Sequence, residues 1–479
     1  MIRKYFILLI MTFLIGSKNS HASEAELPHN TKELALSFLS AMNTQSYDSI
    51  FKLAEKSIAQ PNLDRLPTER YASYLSAESM FHGELKHHSL KMAEYSDGTQ
   101  YIEALVNSKN TQLWYRLLLS MNDAPPYKIT RMRLRATEQP EHLKRKNKLT
   151  EKQATAKFAG YIDRLSALGT FSGAVLLSKG DSVLLEKSAG LASKRFNIAN
   201  NIDTRFNLGS MNKMFTSLTV LQLIEQGKIK LTSTLDKVLN IKGEMPHFKE
   251  IQIQHLLSHT SGMGRLDCKK ADNSVVISLS QCLKKLQKVK LNFEPGTSYR
   301  YSNDGMMVLG LVIEKLTGVT YDNAIKSAVF DNAAMENTAC LDLQFPVENA
   351  AIGYSYYAKR NTWRNNLFIH DKKGGPAGGC YSSVRDLLKF SKALTSHKFV
   401  NEELTQKALS ARTELGSDRY GFGISKRNGK RVVGHNGAFL GVSSQLNIHL
   451  DSDYTIIVLA NHSFASDPVV AKFNELFEL

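Results

Sequence analysis

Apolar positions fall at two different spacings in the first third of the chain. Ala35, Phe38, Leu39 and Met42 recur every three or four positions, the mark of one buried helical face. Residues 101–106, 113–121 and 127–134 carry instead the dense or alternating apolar pattern of strands, separated by turn-rich breaks. Helix first and strands afterwards predict a small α+β domain with a curved antiparallel sheet, from about residue 26 to 138. Within 128–136 successive side chains point to opposite faces, so Thr130, Met132 and Leu134 share one side and Arg131, Arg133 and Arg135 the other. The arginine side reads as a solvated sheet face in preference to an anion-binding stripe.

Helical spacing resumes at Phe158, Ile162 and Leu165, after a basic stretch holding Lys144, Arg145, Lys146, Lys148, Lys152 and Lys157. A linker over 141–157 is expected there. A hairpin follows, 171–177 and 182–188 around Gly180-Asp181; helices then dominate to about residue 396. Strands return at 420–425, 430–433, 442–449 and 454–460, with turns at Asn428-Gly429 and Asp451-Ser452. Strands at both ends with helices between imply one antiparallel sheet assembled from distant segments. The expected domains are 23–140 and 158–479, and no internal repeat or low-complexity tract interrupts them.

Length and composition agree with two globular domains: 479 residues, 42% apolar and 22% charged. Residues 1–22 have the anatomy of a secretory signal, with Arg3 and Lys4, an apolar run over 5–16 and a small-residue end at Ser20-His21-Ala22. Cleavage after Ala22 would place the protein in the periplasm or outside the cell. No later stretch approaches the roughly 20 apolar residues of a membrane helix, so no integral membrane segment is expected after signal removal. No cysteine lies near the cleavage site to carry a lipid anchor. The formal charge of +16, three units of it from Arg3, Lys4 and Lys18, favours approach to anionic envelope polymers and head groups. No nucleic-acid motif is present.

Export permits disulfides. Cys268, Cys282, Cys340 and Cys380 allow three pairings; Cys268 with Cys282 closes the cheapest loop and leaves Cys340 with Cys380. Zinc is not expected, because no CxxC spacing occurs, and His255 and His259, four apart, lack a third ligand at useful spacing.

Three clusters carry chemistry. In Ser210-Met211-Asn212-Lys213 the serine opens an apolar-periodic helix marked by Met214, Phe215, Leu218, Leu221 and Ile224 and ended by Gly227. Hydroxyl and amine then project from one face within a turn, where a partly desolvated lysine can accept the serine proton. In Tyr301-Ser302-Asn303 a phenol and an amide stand ahead of a second helix that runs from Gly305 and buries Met307, Leu309, Leu311, Val312 and Leu316. The tyrosine can relay a proton, and the asparagine can orient the lysine or a substrate amide. In Gly434-His435-Asn436-Gly437 a strand end lets backbone approach a substrate, and the Ala438 N–H can join that of Ser210 as an oxyanion hole. Taken alone, each cluster also reads as an ordinary helix start, a packing tyrosine or a hairpin turn.

Together with Phe206-Asn207-Leu208-Gly209, the run 255–262 (His-Leu-Leu-Ser-His-Thr-Ser-Gly), Phe293-Glu294-Pro295-Gly296 and Gly375-Pro376-Ala377-Gly378-Gly379, these clusters make residues 158–479 resemble a superfamily of serine hydrolases. It comprises the class C β-lactamases, penicillin-recognising DD-peptidases and related esterases. The resemblance implies an α+β fold, an antiparallel sheet flanked by helices with a helical subdomain. It implies Ser210 as nucleophile, Lys213 and Tyr301 sharing acid and base duty, Asn303 as a positioning group, His435, Gly437 and Ala438 on the substrate-binding strand edge, and no cofactor. The layout of the first domain resembles NTF2-like or cystatin-like accessory domains.

One departure stands out. His435 occupies a place where lactamases of the family usually carry lysine, and an imidazole of ordinary pKa is mostly neutral at pH 7. The expectation is therefore an exported esterase or D-amino-acid peptidase acting on a small or peptidoglycan-derived substrate, ahead of an efficient β-lactamase. The rival from another class is a non-catalytic peptidoglycan-binding protein that retains the fold.

Overall fold

The computed structural model describes residues 29–94, 100–122, 124–145, 147–240, 246–266, 286, 289–369, 373–410 and 420–479. The expected signal over 1–22 and the pair Cys268 and Cys282 lie outside the described residues. The chain divides into two compact units, Met1–Thr170 with Ser355–Arg364 and Asp467–Leu479, and Phe171–Tyr354 with Asn365–Ser466.

In the first unit four helices, α1 (His29–Asn43), α2 (Tyr47–Ser57), α3 (Gln60–Arg65) and α4 (Thr68–His82), precede four strands, β1 (Leu85–Glu94), β2 (Gln100–Ser108), β3 (Trp114–Met121) and β4 (Ile129–Thr137). The strands form an antiparallel sheet in sequence order. Ala35, Phe38, Leu39, Ile50 and Ala72 of the helices share a buried core with Ile102, Val106, Leu117 and Leu119 of one sheet face. Met132 and Leu134 pack against that core, while Arg131 and Arg135 are exposed. Strand β1 lacks the alternation that marked its neighbours: it is an edge strand rich in Lys and His, with a register shift between His87 and Ser89.

Helix α5 (Glu151–Ala167) begins inside the stretch expected as a linker. A capping box explains the start, with the Thr150 hydroxyl on the Gln153 N–H and the Gln153 side chain on the Thr150 N–H. The Tyr161 hydroxyl donates to the Thr111 carbonyl at 2.7 Å, and Phe158 packs 6.0 Å from Phe473 of the C-terminal helix Ser466–Leu476. Lys472 of that helix donates to the Gln112 carbonyl at 3.0 Å. These long-range contacts group both helices with the first unit, whereas the sequence pattern joined them to the second.

The second unit is built on a six-stranded antiparallel sheet. Its strands are β5 (Gly173–Lys179), β6 (Ser182–Ala189), β7 (Gly423–Arg427), β8 (Lys430–Phe439), β9 (Val442–His449) and β10 (Tyr454–Ala460), in the order β7-β8-β9-β10-β5-β6. Pairing of Val458 with Val175 joins the late strands to the early hairpin, the assembly from distant segments that the pattern implied. Asn428 and Gly429 both take left-handed conformations, the requirement of a two-residue hairpin turn between β7 and β8.

Between the two groups of strands lie α6 (Asn212–Glu225), α7 (Asn303–Thr317) and α8 (Val384–Thr395). Helix α6 is buried nearly all round, from Asn212 to Leu221. Helix α7 buries Met306, Val308, Leu309, Leu311, Val312 and Ile313; of the expected stripe Leu309, Leu311 and Val312 are buried, whereas Met307 and Leu316 are only half-buried. Cys340 and Cys380 are joined by a disulfide. Among the described residues no helix is long and apolar enough to cross a membrane.

Candidate active site

Ser210 sits in a 3-10 turn, Gly209–Met211, that runs directly into α6. The chain leading to it is held on two sides. On one, Phe206–Asn207 pairs with Tyr381–Ser382, the Leu208 N–H donates to the Cys380 carbonyl at 2.8 Å, and the Gly379 N–H donates to the Gly209 carbonyl at 3.2 Å. On the other, the Ser444 hydroxyl of β9 donates to the Leu208 carbonyl at 2.8 Å. Gly209 has φ +52°, and a β-carbon on it would meet the Gly437 Cα at 3.0 Å and the Ala438 nitrogen at 3.1 Å. A β-carbon on Gly437 would overlap the Leu208 carbonyl oxygen. The glycines are there because backbone meets backbone, and this brings the Ala438 amide beside the Ser210 turn.

His435, Gly437 and Ala438 lie inside β8, opposite Leu446, Ser444 and Ser443 of β9. The sequence placed a strand end here; the ladder continues to Phe439, and the turn follows it. Pairing with β9 overrides the turn-like composition of Gly434-His435-Asn436-Gly437.

Lys213 follows one helical turn after Ser210. Met211 and Asn212 have helical dihedrals, so the hydroxyl and the amine share a face. Lys213 is 0% exposed, and its ammonium donates to the Ala377 carbonyl at 2.5 Å. The segment that supplies this carbonyl is fixed by Asn212, whose side chain donates to the Gly375 carbonyl at 3.2 Å and accepts from the Cys380 N–H at 3.2 Å. Burial holds the Lys213 pKa down to about 7.

Tyr301 comes from the segment just ahead of α7, and its ring centre lies 4.9 Å from the Lys213 ammonium. Ser302 caps α7 by accepting the Gly305 N–H, and Asn303 is the helix's first residue, exposed to solvent. The lysine therefore rests on the Ala377 main chain, a contact the sequence did not foretell. His435 has its Nδ1 at 2.5 Å from the Asn436 carbonyl, which can only accept, so Nδ1 carries the hydrogen and Nε2 the lone pair. Burial, with the Lys213 charge nearby, pushes its pKa down to about 4. The imidazole is neutral at pH 7.

A second imidazole, weighed in the sequence only as a metal ligand, lies beside the tyrosine. His259 is 1% exposed, its ring stands 4.6 Å from that of Tyr301, and its Nδ1 accepts the Ser302 N–H at 3.2 Å. The pairing with Ser302 spans 43 residues, and the only local signal was the His-Thr-Ser-Gly run. Among the described residues no three His, Cys, Asp or Glu side chains group as metal ligands.

The antiparallel sheet, the helix carrying Ser210 and Lys213 and the tyrosine segment beside them define the architecture of the serine β-lactamase and DD-peptidase superfamily. The Beta-lactamase family model matches residues 158–477, and the chain belongs to that family. Penicillin-binding protein 4* of Bacillus subtilis (strain 168) is 28% identical over 314 residues, covering 61% of this chain and 68% of that protein. Teichoic acid D-alanine hydrolase of Staphylococcus aureus is 25% identical over 305 residues, covering 63% and 72%. The crystal structure of a penicillin binding protein from Bacillus halodurans superposes with a TM-score of 0.61 at 29% identity, over 66% of this chain and 99% of that one.

Proposed function

We propose that the protein is an exported serine hydrolase that cleaves D-aminoacyl esters or amides through an acyl-enzyme on Ser210. The observation that carries this reading is Lys213: an amine buried one turn from a serine, with its pKa lowered to about 7 and a tyrosine ring against it. Near neutrality a large share of this amine is unprotonated and able to accept the Ser210 hydroxyl proton. The serine oxygen adds to the substrate carbonyl, and the developing oxyanion is met by the Ser210 and Ala438 N–H groups. Collapse expels the alcohol or amine, which takes a proton from Lys213 or Tyr301. Water, deprotonated by the same pair, then adds to the acyl-enzyme and returns Ser210.

Two features narrow the substrate. His435 offers a lone pair where a lysine would offer a fixed cation, which disfavours a carboxylate and favours a hydrogen-bond donor such as an ammonium or amide N–H. The similarity to a teichoic acid D-alanine hydrolase supports a D-alanyl ester as the kind of acyl group handled. The charge of +13 that is left when Arg3, Lys4 and Lys18 of the expected signal are taken from +16 suits approach to an anionic envelope polymer bearing such groups. Burying a lysine is costly and has no use in a non-catalytic binder, which weighs against that alternative.

Labelling by a fluorophosphonate or fluorescent penicillin, with Ser210→Ala beside the wild type, tests the nucleophile. Label should vanish in the variant; persistent label refutes the assignment. Nitrophenyl esters of D- and L-alanine, D-Ala-D-Ala peptides and nitrocefin then rank the substrates, and the D-alanyl ester should lead.

A further inference from the structure

Two hydrogen bonds and a ring contact tie His259 to the segment that carries Tyr301. Its carbonyl accepts the Arg300 N–H at 3.0 Å, its Nδ1 accepts the Ser302 N–H at 3.2 Å, and its ring lies 4.6 Å from the Tyr301 ring. The two backbone bonds flank Tyr301 and fix the chain on either side of it. His259 holds a left-handed conformation, φ +58°, just past Ser258, the C-cap of the short helix Ile253–Leu257, and this turn aims its ring at the tyrosine segment. A non-glycine residue is uncommon in that region and costs free energy that the surrounding contacts must offset.

The hydrogen-bond partners also set the tautomer. Ser302 N–H is a donor, so Nδ1 holds a lone pair and the imidazole hydrogen sits on Nε2. That Nε2 is buried and has no hydrogen-bond partner among the described residues. A buried donor without a partner costs about 1–3 kcal/mol, so its retention calls for a reason. Burial first, then the charges of Lys213 and His435, press the ring's pKa down to about 3, so it stays neutral throughout the working range.

We propose that His259 is a positioning residue of the acyl-transfer site: through Nδ1 and its ring face it holds Tyr301 against Lys213, while its Nε2–H donates to a water or substrate atom in the cleft. The inference rests on the reading of Ser210, Lys213 and Tyr301 as the reacting groups. His259 itself moves no proton.

Three variants of the full-length protein separate the parts. His259→Asn keeps an acceptor where Nδ1 stands and tolerates the left-handed backbone, but lacks the ring and the Nε2–H. His259→Gln keeps an amide donor near Nε2 and loses the Nδ1 acceptor. His259→Phe keeps the ring and loses both nitrogens. With ester turnover as readout, Gln and Phe should lower kcat on the order of 10- to 100-fold with KM little changed, as a displaced Tyr301 requires. Asn should recover at least about a third of the logarithmic loss seen in Phe, in keeping with a retained positioning bond. Wild-type turnover in the Phe variant would overturn the proposal. So would equal losses in all three that follow their melting temperatures.

A readout independent of activity keeps this distinct from the functional reading. The 15N imidazole shifts of His259, assigned by their loss in His259→Asn, should show an unprotonated Nδ1 and a protonated Nε2. The reverse pattern overturns the proposal whether or not Ser210 proves to be the nucleophile.

Discussion

The Lys213 ammonium stands 4.9 Å from the centre of the Tyr301 ring and is shielded from water, though 88 residues separate the two in sequence. A cation over an aromatic face gains electrostatic support, and more so when desolvated. The tyrosine ring therefore steadies the protonated lysine, whereas burial favours the neutral one. Burial wins, since the net pKa is about 7 against an ordinary 10.5.

The rate of acylation should accordingly rise with pH through about 7 and level off above it, because only the neutral amine accepts the serine proton. A stopped-flow profile with a neutral ester measures this. A flat profile from pH 5 to 9 would remove Lys213 as the base.

Stability carries a second mark of the same group, in a higher pH window. The folded pKa lies below the unfolded one, so between about 7 and 10.5 the unfolded chain binds more protons and folding stability rises with pH across that window. Lys213→Met removes the penalty. It should raise the melting temperature at pH 7, by roughly 2–4 °C per kcal/mol relieved, while abolishing probe labelling. Thermal unfolding of the two proteins at pH 6 and pH 9 reads both effects, and the gain should be larger at pH 6.

Gly437→Ala forces a β-carbon into the Leu208 carbonyl oxygen. The β8 edge must move, and the Ala438 amide moves with it. Loss of one oxyanion donor costs about 10²–10³ in kcat, so esterase activity should fall by that order with a smaller change in KM. Steady-state kinetics on the soluble fraction checks it.

His435→Lys restores a fixed cation on the strand edge. Affinity for carboxylate-bearing β-lactams should improve roughly 10- to 100-fold, the range of a charge-assisted hydrogen bond, and competition against the fluorescent penicillin measures it. Wild type should gain the same preference only below about pH 4, where its own imidazole charges.

The Cys340–Cys380 bond can be tested by Cys340→Ser with Cys380→Ser. The Cys380 carbonyl accepts the Leu208 N–H and its N–H donates to the Asn212 side chain, so loosening it disturbs the chain two residues to either side of Ser210. Stability should drop by about 2–4 kcal/mol, with a parallel loss of labelling, as followed by urea unfolding and probe kinetics.

What the sequence disclosed was local. Ser210 and Lys213 share a helix turn, and Tyr301 precedes a capped helix, so spacing alone placed all three on the right elements. What it concealed was long-range. Strand β8 runs through four residues of turn-like composition because β9 supplies partners for them. The lysine's resting partner is the Ala377 carbonyl, and main-chain atoms leave no signature in residue types. Asn303, read as a positioning group, is exposed at the head of α7, and the imidazole next to Tyr301 belongs to a motif 40 residues earlier. The α5 capping box was visible as Thr150 and Gln153, but the charge run around it outweighed that signal.

Gly209 lies between Gly378 and Gly437 with no room for a side chain on any of the three. The turn that carries Ser210 thus meets its two neighbouring segments backbone to backbone at these three positions. On the proposed reading, substitutions elsewhere in the cleft should leave this backbone contact in place, so that substrate preference and chemical competence are heritable separately. A library aimed at new acyl groups should vary the former and leave positions 209, 378 and 437 untouched.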